Sequence, residues 1–537
     1  MQFDFIVIGA GSAGCVVADG LSESGRHRVL VLEAGPSDRK LFVQMPIGYG
    51  RTFHDPRVNW RYRTEPIPGL GGRVDYFPRG KLLGGSSSIN AMVYIRGQAQ
   101  DFDEWEALGN RGWGWRDVLA CYRRLEDHAF GESEHHGARG PLRVTDISKE
   151  AHPLCQAFIE AGEQTGLCFN GDFNGASQEG VGLYQITTRG GFRLSAARAF
   201  LRPAMRRRNL RVETHAEVTR ILFEGRRAVG VEYRRHGEVK RANAAREIIL
   251  SAGAINSPQL LQLSGVGPAH LLKSFGIEVV VENAAVGRNL QDHLCYDHVY
   301  RSAKPTLNDE LFPWRGKLAA GARYILWRRG PLSLSINQAG GFFRTSPGLQ
   351  RPDMQLYFSP LSYEKTPPGT RALLQPDPFP GFVTSVSPCR PTSRGYVEIR
   401  SGDPSAPPAI QPNSLSTEED LAQLLAGARF LRKLASTASL KAVIAQELRP
   451  GRAHEGEDEL RADIRARAYS VFHPCGTCRM GPSAAQCVVD ERLRLHGLAG
   501  LRVVDASVFP TLPSGNINAP CLMVGAKGAD IIIRDSC

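Results

Sequence analysis

The chain has 537 residues, 42% of them hydrophobic and 22% charged, the balance of a globular protein with a large core and about two domains. Its net charge of +12 rests on dispersed arginines, with Arg206-Arg207-Arg208 and Arg234-Arg235 the only tight runs, so nucleic acid is not an expected partner. An anionic lipid headgroup or an acidic redox protein remains compatible with that charge.

No run of eighteen apolar residues is present to cross a bilayer. The first strand is expected almost at residue 1, so a signal peptide is not expected. The eleven cysteines are odd in number and form no framework, which fits a reducing compartment. The expected location is therefore the cytoplasm, with peripheral association with the inner membrane compatible. Cys475-x-x-Cys478 has no second pair to complete a zinc site, and no metal is expected.

Phe5–Ile8 is an apolar run rich in β-branched residues, the pattern of a buried strand. Gly9, Gly11 and Gly14 follow as G-x-G-x-x-G, with Ser12 and Ala13 between them; Cys15–Leu21 reads as helix and Arg28–Leu32 as a second strand running into Glu33 and Ala34. The first glycine allows a tight turn, the second lets a pyrophosphate approach the backbone, and the third lets helix pack on strand. The helix N-terminus then offers free N–H groups and a positive dipole end to phosphate. Glu33 stands nineteen residues beyond Gly14, where a carboxylate meets a ribose hydroxyl. These features predict a dinucleotide site and leave NAD and FAD equally open.

Beyond Gly35 the chain is loop-like, with a short strand at Trp60–Arg63 and a second Gly/Ser-rich segment at Gly80–Ala91. Residues 101–108 and 115–126 read as helices, and Trp105, Trp113 and Trp115 as packing groups. His128–Gly140 reads as a surface loop in which His135-His136 is too isolated for a metal. A helix is expected near Leu154–Thr165, and three strands with turns between Leu210 and Arg235. Glu247–Leu250 is another buried strand, running into Ser251–Pro258 as a second strand–glycine–helix junction. Residues 295–465 mix prolines, aromatics and alternating strands at Met354–Phe358, Gly381–Ser387 and Tyr396–Arg400, followed by a helix at Ser416–Leu434. A strand at Leu501–Ala506 and a helix at Pro520–Ile533 close the chain.

The fold class expected is α/β: a Rossmann-like dinucleotide-binding domain with a discontinuous α+β substrate domain on an antiparallel sheet. The expected division is residues 1–150, 192–298 and 468–537 for the first, and 151–191 and 299–467 for the second.

The segments GKLLGGSSSINAMVYIRG, SAGAINSPQLLQLSGVG, VGRNLQDH, HPCGTCRMG and VVDASVFPTLPSGNINAP occur here in one order over nearly the whole chain. In them the sequence resembles the glucose–methanol–choline family of FAD-dependent oxidoreductases, and within it the choline dehydrogenase and alcohol dehydrogenase branch. The resemblance selects FAD. It implies that Glu33 holds the adenosine ribose and that Val218 lies near the adenine. It further implies that Gly84, Gly85, Ser86, Asn90, Ala91 and Met92, with Ala252 and Gly253, line the pyrophosphate and flavin. Asp505, Ala506, Asn516 and Asn518 would complete the cofactor site. Some relatives tether the flavin through a histidine where this chain has Ile89, so noncovalent FAD is expected.

The resemblance places the chemistry on His473 as base and Asn518 as its companion. A neutral imidazole suits the hydroxyl proton of an alcohol, and flavin N5 the hydride. Choline-oxidising relatives carry a glutamate in the segment matching Ser335–Phe343, where this chain has Gln338. An amide does not balance a buried cation, so a neutral, primary alcohol is expected, with Phe472 as an apolar wall. The alternatives are choline oxidation and a redox-silent flavin lyase on the same scaffold. The expected partners are the small-molecule alcohol and an electron acceptor (a quinone, an electron-transfer protein or oxygen), with the oligomeric state open.

Overall fold

In the computed structural model, residues 2–363, 375–454 and 456–536 are described. Two seven-stranded sheets organise them. The first runs in the order Leu210–Thr214, Val29–Glu33, Gln2–Ile8, Glu238–Leu250, Arg227–Arg235, Ala216–Glu224, with Leu501–Val503 added beside Glu238–Leu250. Its central pairings are parallel, Phe5 opposite Val29 and Ile6 opposite Ile248, whereas the last three strands form an antiparallel meander. Val29–Glu33 is buried along its whole length, as a strand covered on both faces must be.

The expected helix after the glycines spans Ser12–Glu23, and the chain-terminal helix spans Asn518–Ser536; the two pack against each other. Gly20 lies against Ala529 and Gly525 against Ala13, small-residue contacts that let the helix backbones approach closely. The strand expected at Glu247–Leu250 is longer, starting at Glu238, because its first half pairs with the meander.

The second sheet is antiparallel, in the order Ile444–Arg449, Leu294–Ser302, Gly381–Pro388, Met354–Ser359, Ala339–Phe343, Gly180–Leu183, with Tyr469–Ser470 beside Leu294–Ser302. Period-two alternation splits its faces. Tyr296, Tyr300, Phe382, Val386, Leu356 and Phe358 face one way, into a core closed by the helices Leu154–Gln164 and Glu418–Ala435. Cys295, Asp297, Val299, Tyr357, Val383 and Ser385 face the other way, into a cavity. The strand expected at Tyr396–Arg400 joins a separate three-stranded sheet instead, between Arg288–Leu290 and Ala409–Gln411.

The expected surface loop His128–Gly140 is exposed at Phe130, Glu132–Glu134 and Arg139 but turns two histidines inward. His128 and His136 are buried, their rings stacked 3.7 Å apart at 14°, beside the fully buried Arg96–Glu126 ion pair. His136 is held between Glu126 at 2.9 Å and Asp172 at 2.8 Å. His128, His136 and Asp172 stand at metal-ligand separations. Near-parallel stacked rings, however, have no common in-plane point at which one ion meets both lone pairs.

Candidate active site

A cavity of about 1000 Å³ runs from the edge of the first sheet to the inner face of the second. The sequence-predicted residues Gly9, Gly11, Ser12, Ala13, Glu33, Ala34, Gly85, Ser86, Asn90, Ala91 and Met92 line it. So do Val218, Ala252, Gly253, Phe472, His473, Asp505, Ala506, Asn516 and Asn518. Gly14, Gly84 and Gln338 do not.

The three motif glycines divide by role. A Cβ at Gly14 would stand 2.1 Å from the Gly9 carbonyl oxygen, and one at Gly9 2.5 Å from the Ser251 carbonyl oxygen, so both serve packing; Gly9 also has φ of +93°. A Cβ at Gly11 would meet nothing nearer than 3.9 Å and would enter the cavity. Gly11 thus keeps open the space before the Ser12–Glu23 helix, whose first-turn N–H groups have no intrahelical acceptor and no acid beside them. Gly84 acts behind the wall: its N–H donates to the Ala10 carbonyl at 2.7 Å and seats Gly85 against Gly11.

The buried Glu33 carboxylate accepts from the N–H groups of Ala10 at 2.9 Å and Gly35 at 2.8 Å, and burial raises its pKa to about 7. Asp505 accepts from the Gly253 N–H at 2.8 Å, Ser257 Oγ at 2.6 Å and the Ser507 N–H at 2.8 Å, clamping the second strand–glycine–helix junction to the C-terminal segment. Glycine-opened space, a helix N-terminus and an acid at the end of the second strand fit a dinucleotide.

At the other end of the cavity, His473 Nδ1 lies 3.0 Å from His293 Nδ1, and His293 Nε2 lies 2.9 Å from the Cys389 carbonyl oxygen. A carbonyl only accepts, so His293 Nε2 carries a proton. Burial lowers the His293 pKa to about 4, so that ring is neutral and its Nδ1 is bare. His473 therefore donates through Nδ1, leaving Nε2 unprotonated, 3.3 Å from Asn516 Nδ2. Asn516 is oriented in turn by Gln355, whose Nε2 donates to Asn516 Oδ1 at 3.2 Å. Burial, then His293 and Arg79, hold the His473 pKa well below the usual imidazole range.

The chain bends sharply to present this ring. Phe472 has φ of +66°, uncommon without glycine, and is pinned by its N–H to Ser470 Oγ at 2.8 Å and by Arg79 Nη2 to its carbonyl at 2.7 Å. Asp292 Oδ1 accepts the His473 N–H at 2.7 Å. Phe472 lines the cavity and packs on Phe53 and Phe77.

Two expectations are corrected by this geometry. Asn516, not Asn518, meets His473; Asn518 opens the terminal helix and its Oδ1 accepts from Ser12 Oγ at 2.8 Å, joining the starts of two helices. The Ile517 carbonyl accepts from the Cys521 N–H at 3.0 Å and so begins the helix. Gln338 faces away from the cavity, its Oε1 accepting from the His152 N–H at 2.7 Å, while Ile336 and Asn337 line the wall. The side chain expected in the cavity lies one position past those that reach it, Ile336 and Asn337. The argument from Gln338 against a cationic substrate therefore lapses.

The sequence reading missed Asp292, His293, Arg79 and Arg193. The first two lie in the VGRNLQDH segment, which signalled them without a role. Arg193 is fully buried, donates from Nη1 to Asn90 Oδ1 at 2.7 Å and from Nε to the Val43 carbonyl at 3.1 Å, and so holds the Gly/Ser-rich segment in place.

Two family models, both described as GMC oxidoreductase, match residues 3–295 and 391–525. The alcohol dehydrogenase [acceptor] of Pseudomonas putida is 43% identical over 99% of this chain and 96% of its own. The mitochondrial choline dehydrogenase of Homo sapiens is 44% identical over 99% of this chain and 90% of its own. Among solved structures, pyridoxine 4-oxidase from Mesorbium loti superposes with a TM-score of 0.89 at 31% identity, covering 99% of both chains. A formate oxidase superposes with a TM-score of 0.91 at 26% identity, covering 99% and 98%. With these likenesses spanning both sheets and the cavity between them, the chain belongs to the GMC oxidoreductases, the family of flavoproteins that bind FAD.

Proposed function

We propose that the protein oxidises an alcohol to its aldehyde, with His473 as the base. The observation that carries this reading is the unprotonated His473 Nε2 at the cavity wall, its tautomer set by His293. FAD, when bound, supplies the hydride acceptor. Gly9–Gly14, Gly85–Ser86 and Ala252–Gly253 would hold the pyrophosphate, Glu33 and Val218 the adenosine, and Asn90–Met92 with Asp505–Ala506 and Asn518 the flavin half. Ile89 sits in an apolar cluster with Val43, Val58 and Leu82 and offers no nucleophile, which supports noncovalent attachment. Residues 1–150, 192–298 and 468–537 would form the flavin domain, and 151–191 and 299–467 the substrate domain.

The chain's own residues manage the proton. A neutral imidazole accepts it from the substrate hydroxyl, which makes the adjacent C–H a better hydride donor. Asn516 Nδ2 donates to the same oxygen once substrate opens the 3.3 Å contact with His473. Asp292, whose pKa burial raises to about 6, is ionised at neutral pH and offsets the charge of Arg79, which itself opposes a charged His473.

One observation favours a second reading of the substrate. Asp297 lines the cavity, its Oδ1 accepting from the Tyr469 hydroxyl at 2.7 Å, and brings a carboxyl group to the wall opposite the flavin site. A cationic amino alcohol of the choline kind fits that wall, and an uncharged primary alcohol fits the remaining apolar one. In the oxidative half-reaction the electrons taken from the alcohol would then leave to a quinone, an electron-transfer protein or oxygen.

Anaerobic mixing of the holoprotein with a panel of alcohols tests this. Bleaching of the flavin band by uncharged alcohols in both the wild type and Asp297→Asn supports the first substrate reading. Bleaching by choline that Asp297→Asn abolishes supports the second. No bleaching by any alcohol sinks the oxidation and leaves a lyase or a noncatalytic flavoprotein. Oxygen consumption then separates oxidase from dehydrogenase.

A further inference from the structure

The helix Trp314–Trp327 carries its apolar stripe on the wrong side for a core. Trp314, Leu318 and Ile325, spaced i, i+4 and i+11, lie along one face, the spacing that normally marks the buried side. Here these three, with Leu326 and Trp327, are 64–67% exposed, and Phe312 just before them is exposed too. The side that does pack is the poorer one. It holds Ala320 and Tyr324, and Ala320 joins a cluster with Tyr49, Leu311 and Ile336. Among the described residues no other segment exposes so many large apolar side chains together, and a contiguous patch of this kind marks an interaction surface.

The surrounding charge selects the occupant. From residue 311 to residue 352 the sequence contains no acid, while Arg315, Lys317, Arg323, Arg328 and Arg329 lie on or beside the helix. Arg315 stacks on Trp314, and Lys317 lies over Phe312. Glu150 reaches in, 3.5 Å from Arg323 and 3.9 Å from Arg329, and Glu310, just before the helix, also faces Arg323, so Arg315, Lys317 and Arg328 carry the excess positive charge. A second copy of the chain docked helix to helix would bring like charges together. An acidic soluble protein would answer the cations and leave the stripe without an apolar partner. An anionic phospholipid surface answers both, with acyl chains for the stripe and headgroup phosphates for the cations. Tryptophans at both helix ends suit the headgroup boundary. At 14 residues the helix is too short to cross a bilayer, so it lies in the plane of the interface.

We propose that Trp314–Trp327 is an interfacial helix that seats the protein on anionic membranes. Its inner face packs against Tyr49 and Ile336, which line the cavity, so a docked helix would bring the substrate end of the cavity close to the bilayer. That last link rests on the proposed oxidation; the docking itself does not.

The test is co-sedimentation of the full holoprotein with vesicles of equal parts phosphatidylglycerol and phosphatidylcholine, against vesicles of phosphatidylcholine alone. The wild type should bind the anionic vesicles with a blue shift of tryptophan fluorescence, and bind the neutral ones at least about tenfold more weakly. Leu318→Glu combined with Ile325→Glu should lose binding while flavin content and flavin reduction by a soluble alcohol stay unchanged. Equal sedimentation of wild type and double variant would overturn the proposal, as would indifference to lipid charge. A wild-type dimer that the double variant dissociates, with no vesicle binding, would assign the face to a second copy and also overturn it. Because sedimentation does not read chemistry, vesicle binding by a protein that no alcohol reduces would sink the oxidation and leave the docking standing.

Discussion

His473 Nδ1 and His293 Nδ1 face each other at 3.0 Å, and only one of them bears a proton. The Cys389 carbonyl accepts a hydrogen bond from the protonated far nitrogen of His293, so the proton shared between the rings belongs to His473. His293 is thereby a positioning residue for the His473 base. His473→Ala should keep FAD and lose about 10²–10⁴-fold in anaerobic flavin reduction. His293→Leu removes the acceptor and should cost at least about tenfold. His293→Asn keeps an acceptor oxygen near the place of Nδ1 and should recover most of the rate.

The same pair sets a pH dependence. His473 titrates well below the usual imidazole range, so the acid limb of the reduction rate should lie well below pH 6.5. His293 contributes to that lowering, so the limb should move upward in His293→Leu. A limb that stays in place would mean His293 does not act on the base.

Asn516 and Asn518 separate cleanly in their contacts and should separate in effect. Asn516→Ala, which removes the amide facing His473, should slow flavin reduction with FAD retained. Asn518→Ala breaks the tie between the starts of two helices and should lower FAD affinity and melting temperature more than the rate in loaded protein. Stopped-flow absorbance and flavin-release fluorescence distinguish the two.

Gly11 and Gly14 make a second contrast. Gly11→Val points its side chain into the cavity, so the protein should fold and purify without FAD. Gly14→Val drives a Cβ onto the Gly9 carbonyl and should destabilise the fold itself. Melting curves and flavin content of both variants check this, and an FAD-replete Gly11→Val would remove the phosphate role from that loop.

Away from the site, burial holds the His298 pKa at about 3, and its Nε2 has no hydrogen-bond partner. Between pH 3 and 6.5 the unfolded chain binds a proton here that the folded chain refuses. Stability from this residue is therefore present above about pH 6.5 and falls by up to about 1.4 kcal/mol per pH unit below it. Glu33 and Asp292, with raised pKa values, act in the opposite sense, so the comparison must be a difference. His298→Phe should gain on the wild type steadily as denaturant titrations move from pH 6.5 toward pH 4. A constant gap across that range would mean His298 is charged in the folded protein.

The sequence by itself determined what depends on local geometry and residue type. A strand, three spaced glycines, a helix and a second strand ending in Glu33 can form one structure with little help from elsewhere, and they stand where the spacing put them. The alternating strands of the second sheet were legible for the same reason, through periodicity, whereas His473 was singled out by the family resemblance of HPCGTCRMG.

Tertiary structure decided which way residues face and what they meet. Asn516 and Asn518 are two positions apart, and only the start of the terminal helix, packed on Ser12 506 residues away, assigns one to the base and one to the helix tie. Gln338 and Asn337 exchange sides of a wall according to where the Leu154–Gln164 helix lies. His293 takes its role from Cys389 and His473, 96 and 180 residues away, and no local pattern encodes such a contact. The Trp314–Trp327 stripe makes the point from the other direction: helical spacing marks an apolar face, and only the packing of the rest of the chain shows that this face is turned outward. Periodicity records the shape a segment can take, while burial and partnership are properties of the assembled surface around it.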